Sequence, residues 1–510
     1  MGTKIMYIPL DERPCNFIYP EMILGISDIE IIKPPFEILG YKKRPADIDK
    51  LAKWMKENIR SVSYLIMSID MFLFGGLVPS RLHGKFLDEC IDRLNMLREF
   101  KEINRDLKIY AFNLIMRVPS YNSADEEPDY YEFYGERIFQ MGVLTDKIEQ
   151  NVASDEEKVQ LERIKNEIPR EFLEDYLARR EINHKVSQTV VDFVEEGIID
   201  FLIIPMDDCS EYGFSAKERR NIMSKIRGKG LFHKIYSYPG ADEVGSVLVA
   251  RAFNMIKNYE PKVFIRYSSI IGPTLIPRLE DRSIHETVKY QIIAGGGVVV
   301  DNSRDCDFVL MVNAPSQNTL RFYDGYQSIF KKIEINDPFR NINEFVLAAK
   351  YYIEEGIPCA LADVAQVNEA DEDMLVLLKN YKLLNNVLSY AGWNTSSNTL
   401  GTVISHSMIA SYFIKNGEFN PETEYKSNKF LFQRYLEDWG YQNHIRRHII
   451  NLLDEMKVTY FDLGDKKDVI ASIIRDKLYE FKNDNLTGFD YDFKVSIPWN
   501  RLYEIQINFI

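Results

Sequence analysis

Histidine, tryptophan and cysteine are scarce in this chain: seven, four and five among 510 residues. The cysteines are Cys15, Cys90, Cys209, Cys306 and Cys359, with no CxxC pair and no metal-ligand spacing. An odd, unpatterned set of thiols argues against a disulfide scaffold and for a reducing compartment. Basic charge is also short. The chain has 63 Lys and Arg against 77 Asp and Glu, a net charge of -14. A general nucleic-acid binder needs a basic surface to meet phosphates, and this balance argues against that class. No apolar run reaches the length that spans a bilayer. The first ten residues lack the charged segment and long apolar core of a secretory signal. Met6 stands where a myristoylated Gly2 would need Ser or Thr. There is no Pro/Gly/Ser-rich linker, no low-complexity tract and no clear internal repeat. A cytoplasmic protein with closely packed domains and no membrane or nucleic-acid partner is expected.

What is present is a large apolar share, 45% of residues, with thirty Tyr and thirty Phe. The length calls for two or three domains. The first half repeats one grammar: an apolar, β-branched run ends in a polar tip, and an amphipathic segment follows. The runs are Ile5–Leu10, Ile29–Ile32, Tyr64–Ile69, Ile109–Ile115, Phe201–Ile204, Lys234–Tyr238 and Val263–Tyr267. Strands alternating with helices imply a parallel sheet. About seven of them, each with a polar C-terminal tip, predict a β/α barrel of the TIM type over residues 1–255. An open doubly wound sheet is the alternative, and it too collects its tips on one edge. Residues 129–196 are dense in charge and read as a helical insertion.

Residues 256–415 read as a Rossmann-like α/β domain, with strands at Val298–Asp301, Phe308–Asn313, Cys359–Asp363 and Leu388–Tyr390. The triple glycine Gly295–Gly297 precedes a strand and is not a dinucleotide fingerprint. Residues 416–510 read as helical and then extended, with a long amphipathic stretch from Phe430 to Met456.

The chemistry lies in the tips. Asp11, Glu12, Arg13 and Asn16 follow the first run. Asp70 and Arg81 follow the third, Arg117 and the pair Glu126–Glu127 the fourth. Asp207, Asp208, Glu211 and Tyr212 follow the fifth, and Asp242 and Glu243 the sixth. One Asp at a strand end is usually a helix cap. Several on one edge crowd carboxylates, which raises some pKa values and creates a proton donor near neutral pH. Glycoside cleavage uses two carboxyl groups in this way. Asp207 and Asp208 are the catalytic candidates, one as general acid and its neighbour orienting the substrate. Gly75–Gly76 with Ser80 and Arg81 would suit either an anion or a tight turn. The stretch Trp393–Gly401 carries Asn394 and Asn398 beside a tryptophan. It would suit a hydroxyl-rich ligand or cap a helix. Asp363 closes a neighbouring strand and joins the candidate binding set. His444 and His448 stand four apart on a helix without an intervening Glu, and His406 follows a turn; structural roles are expected for all three.

Pro9–Asn16, Asp70 with Gly75–Arg81, Met116–Pro119, Asp207–Asp208 with Glu211–Gly213, Pro239–Glu243 and Ala391–Thr395 together resemble a bacterial family of proteins of unknown function, DUF4127. The resemblance covers nearly the whole chain and implies no activity. Asp207–Asp208 alone is also similar to the acid and orienting pair of substrate-assisted hexosaminidases. The expected function is a hydrolase acting on a carbohydrate, with glycosidase-like acid–base chemistry and no cofactor or metal. The other readings are a metal-dependent (Mg, Mn or Ca) or phosphate-handling hydrolase using the same carboxylates, and a non-catalytic binder of a small polar ligand.

Overall fold

The computed structural model describes residues 3–207, 209–315 and 340–510. The chain is mixed α/β with parallel sheets and divides into two compact units. The first takes Met1–Glu12, Ile29–Leu248 and Leu279–Asp281. The second takes Arg13–Asp28, Val249–Arg278 and Arg282–Ile510. Residues 256–415 and 416–510 thus fall almost wholly in the second unit, which shares one apolar core around Tyr435, Trp439 and Leu478.

Six strands build the sheet of the first unit: β1 (Lys4–Ile8), β2 (Glu30–Ile32), β3 (Tyr64–Ser68), β4 (Lys108–Phe112), β5 (Phe201–Ile203) and β6 (Ile235–Tyr236). All pair in parallel, in the order β2-β1-β3-β4-β5-β6. Residues 5–8 of β1 and 65–68 of β3 are fully buried, as unbroken apolar runs in a covered parallel sheet should be. Between β4 and β5 the chain inserts three helices, Tyr131–Glu149, Asp155–Glu167 and Arg170–Glu195. Ser154 and Glu157 form a reciprocal cap at the start of the second, which explains its acidic first turn. Tyr131, Ile138, Leu161 and Tyr176 give these helices a core of their own.

The TIM-type barrel expected here is corrected by the strand count. β2 and β6 are edges, and no closed barrel forms among the described residues. The seventh run, Val263–Tyr267, does not join this sheet. As β7 (Lys262–Tyr267) it lies inside a second sheet with β8 (Val298–Val299), β9 (Phe308–Asn313), β10 (Cys359–Asp363) and β11 (Ser389–Ala391). Its order is β11-β10-β9-β7-β8, again parallel throughout. Each sheet therefore starts on an inner strand, places the second strand on one side and later strands on the other. That is the 2-1-3-4-5 order of doubly wound sheets, and it differs from the dinucleotide order 3-2-1-4-5-6. A short antiparallel pair, β12 (Phe493–Ser496) and β13 (Gln506–Phe509), ends the chain.

The stretch read as an amphipathic helix from Phe430 is not one. The helix Pro421–Arg434 runs into a π-helical segment, Tyr435–Ile445, and every residue from Phe430 to Gln442 is buried. No helix among the described residues is long and apolar enough to cross a membrane.

Candidate functional site

In a sheet of this order, connections leave the first strand and its neighbour in opposite directions, which opens a crevice at the C-terminal edge. Asp70 stands there, just inside the short helix Ile69–Phe74 that follows β3. Burial is complete and pushes its carboxyl up from the ordinary value to about 6. Hydrogen bonds from Leu114 and Asn113, and the charge of Arg81, pull the other way. The Leu114 amide donates to Asp70 Oδ2 at 3.0 Å, and Asn113 Nδ2 lies 3.3 and 3.4 Å from the two oxygens. Ser187 Oγ fixes the Asn113 amide through Oδ1 at 2.6 Å.

The helix ends at Gly75, whose φ of +88° is left-handed and whose missing Cβ would stand 2.7 Å from the Ala46 amide nitrogen. The glycine pair is thus a tight turn, with Gly75 packed on Pro45 and Ala46 and Gly76 beside Pro79 and Leu10. The turn Pro79–Arg81 then buries the Arg81 guanidinium. Its Nη1 donates to Glu126 at 3.1 Å and Glu127 at 3.3 Å, and its Nη2 to Asp207 at 2.5 Å. Arg117 meets the same acids: Nε to Glu127 at 2.8 Å, Nη2 to Glu126 at 3.1 Å, and Nη1 3.9 Å from Asp207. Two guanidiniums interleaved with three carboxylates answer the question of an anion cradle. The cations are taken by the protein's own acids. Charge-assisted pairs of this kind hold geometry rigidly.

Asp70, Arg81, Arg117 and Asp207 line one small cavity with Leu114, Met116 and Asn183; it has room for about one water. The Asp207 side chain keeps 23% exposure, against 2% for Arg81, so it is the accessible edge of the group. Asp208 lies outside the described residues.

The other expected residues are placed differently. Glu12 accepts from the Lys42 amide at 2.7 Å, and Asp11 is buried beside it in sequence. Glu211 is exposed, and Tyr212 lies under the Lys147 ammonium at 5.5 Å. Neither lines the cavity. Asp242 is buried. Glu243 turns back on its own loop and accepts from the Ala241 amide at 3.0 Å. Burial raises Glu243 to about 8, helped by the charges of Asp242 and Glu280 and opposed by the backbone amides.

Arg13, Asn16, Asp363, Asn394 and Asn398 belong to the second unit. Arg13 stacks 4.6 Å over Trp499, with Glu504 at 3.8 Å, and Asn16 is fully buried. Asp363 ends β10 and accepts from Asn313 Nδ2 at 3.0 Å and the Asp371 amide at 2.6 Å. Arg340 closes the set on Asn313 and Asp371. Burial and the neighbouring Asp371 charge raise the Asp363 carboxyl well above the ordinary range.

The Trp393–Gly401 stretch is a helix start. Thr395 caps the buried helix Ser396–Lys415. The Trp393 N–H and C=O both bond Thr399 Oγ1, and its indole N–H points to Thr402 Oγ1 at 3.3 Å. Asn394 has φ of +55°, and its Oδ1 accepts from the Tyr503 hydroxyl at 3.0 Å. Asn398 is buried in the first helical turn. His406 sits between Ser389 and Ser427 at 2.9 Å each, and burial pushes it down to about 3. His444 meets Glu372 at 2.9 Å.

Sequence reasoning missed Asn113 and Ser187, which orient Asp70, and it left Glu126 and Glu127 out of the site. Asn113 directly follows β4, so the strand-end rule was sufficient to find it. Ser187, mid-helix, gave no signal. Among the described residues, no group of three or more His, Cys, Asp and Glu side chains is arranged to hold a metal ion.

Comparison with known proteins adds little chemistry. No curated protein matches the chain. One solved structure with a partial likeness is a protein from Mycobacterium smegmatis in complex with Beta-D-Fucofuranose. It is 11% identical, and the match covers 71% of this chain and 90% of that one at a TM-score of 0.16. A likeness that slight carries neither a fold nor a ligand across. The sequence family is another matter: the model described as "Protein of unknown function (DUF4127)" matches residues 5–508, and the chain belongs to that family.

Proposed function

We propose that the chain is a hydrolase acting on a carbohydrate, with its acid–base chemistry at the C-terminal edge of the first sheet. One observation carries the reading: Asp70, Asp207, Arg81 and Arg117 line a single cavity. Asp70, held up to about 6 by burial, keeps its proton into the range where a general acid is useful. Asp207, fixed by Arg81 and open on one side, is the second carboxylate that glycosidic cleavage requires. The role of general acid thus passes from the adjacent Asp pair to Asp70. Arg117 lines the same cavity, where a substrate hydroxyl would meet it.

A panel of aryl glycosides tests the proposal. Turnover of at least one is expected, with kcat falling at least about 100-fold in Asp70→Asn and in Asp207→Asn. The rate should decline as pH rises past about 6, where Asp70 loses its proton. No turnover on any member, or full activity in both variants, overturns it.

A further inference from the structure

The second unit holds a larger groove that the proposal above does not use. It lies where β10 and β11 begin, with Ile357 and Pro358 leading into one strand and Val387 and Leu388 into the other. Sheets of this order carry their chemistry on the opposite, C-terminal edge, so the groove is a place for binding and not for catalysis. Its volume is about 310 Å³, within the range of roughly 300–1,000 Å³ usual for small-molecule sites. A single water, with its share of ~30 Å³, does not fill it. Ile353, Ile357, Val387, Leu388, Ile414 and Phe419 give it an apolar wall. Asn385, Asn386, Glu424 and Asn428 give the polar part of its lining. The first three of these are exposed, so the groove opens to solvent on their side.

Charge decides what fits. Among the described residues, Glu424 is the one charged side chain of the lining, and it makes no ion pair. Lys415 ends the helix that supplies Ile414, but it is paired with Asp307 at 2.9 Å, and Lys426 is paired with Glu422 at 2.8 Å. The helices Ile342–Glu354 and Ser396–Lys415 both end at the groove, and helix C-termini carry partial negative charge. An anion would meet a carboxylate and find no cation. The Asn386 and Asn428 side chains make no hydrogen bond among the described residues. Asn385 is different: its Nδ2 donates to the Thr487 carbonyl at 3.2 Å. Ser427, also in the lining, is held by His406 at 2.9 Å. Glu424 and Asn428 stand four apart on the helix Pro421–Arg434, so they share one face. A carboxylate and two amide carbonyls are three acceptors, and an ammonium has three donors and no lone pair.

We propose that this groove binds a small primary amine with an apolar body, its ammonium at Glu424, Asn386 and Asn428 and its body against Ile357, Leu388 and Phe419. Burial of the body supplies most of the affinity, and the solvent-exposed ammonium–carboxylate pair supplies the preference among ligands. The proposal does not depend on Asp70 or Asp207.

Calorimetric titration of the full chain at pH 7 tests it, with para-bromobenzylamine, para-bromobenzyl alcohol and para-bromobenzoate, which share a ring and differ in charge. The amine should bind more tightly than the alcohol by about two- to fivefold, the range an exposed ion pair allows, and the benzoate should bind least. Glu424→Gln should bring the amine down to the level of the alcohol and leave the alcohol unchanged. Glu424 is exposed, so this variant keeps the fold. Phe419→Ser, which removes a half-buried part of the wall, should weaken amine and alcohol alike, by at least about threefold. In a crystal soaked with the amine, the anomalous signal of bromine should lie in the groove. No binding of any of the three, the benzoate as the tightest, an unchanged preference for the amine in Glu424→Gln, or bromine bound elsewhere overturns the proposal.

Discussion

Burial governs the two carboxyl groups that depart furthest from ordinary behaviour in the first unit. Asp70 titrates near 6 in the folded chain and near 3.8 when unfolded. The native state binds the proton more tightly, so the stability gained is complete below pH 3.8 and is lost as pH rises through 6. The loss between pH 4.5 and 7 is on the order of 2 kcal/mol. The loss of unfolding free energy between those two pH values, read from denaturant titrations, should therefore be smaller in Asp70→Asn by about that amount. Glu243, raised to about 8, follows the same sign over a higher window. Its carboxyl is protonated in the fold at pH 6, and a glutamine imitates that form. Thermal unfolding should show Glu243→Gln closest to wild type near pH 4, and increasingly more stable than wild type up to pH 9, because the unfolded acid ionises from about 4.5 while the folded one holds its proton to about 8. A variant less stable than wild type at pH 9 would contradict this.

At the scale of elements, the buried π-helical segment depends on one close approach. A Cβ on Gly440 would stand 2.9 Å from Phe481 and 3.0 Å from Leu478, both on the helix Lys467–Asn485. Gly440→Ala should cost about 1–3 kcal/mol in urea unfolding by forcing these side chains aside. Phe481→Leu in the same chain should recover part of that cost. A fully additive double variant would show that the contact is not the cause. The same scale explains the Trp393 stretch. Six hydrogen-bonding side chains in a row read equally as a sugar-binding loop or a cap. Thr395 and Thr399 use them on the backbone at the start of the helix Ser396–Lys415.

Across the whole molecule, neither unit is a continuous piece of chain. Arg13–Asp28 interrupt the first unit and belong to the second. Tyr19, within that segment, accepts from Arg434 and donates to Glu437 beneath a fully buried guanidinium. A fragment of residues 249–510 would bury those charges without their partner, and breaking such a buried network is costly. It should show broad NMR resonances and no cooperative thermal transition, and a peptide of residues 13–28 should restore both. A sharp transition in the fragment alone would count against this account.

The sequence by itself determined the strands, their polar tips and the membership of a family. Apolar runs and turn residues are local, and β1 to β7 lie where those runs stand. It also marked Asp70, Arg81, Arg117 and Asp207 as residues of one edge. Only the tertiary structure decided which strands pair. Val263–Tyr267 reads like the six runs before it, yet it enters the second sheet, because pairing depends on partners far away in the chain. The same holds for charge. Arg81 meets Asp207 across 126 positions, and no local pattern specifies that neighbour. Arg434, Glu437 and Asp438 stand in the stretch Phe430–Met456, which reads as amphipathic along the chain. The apolar residues packed around the three in space make them a buried ion-pair network.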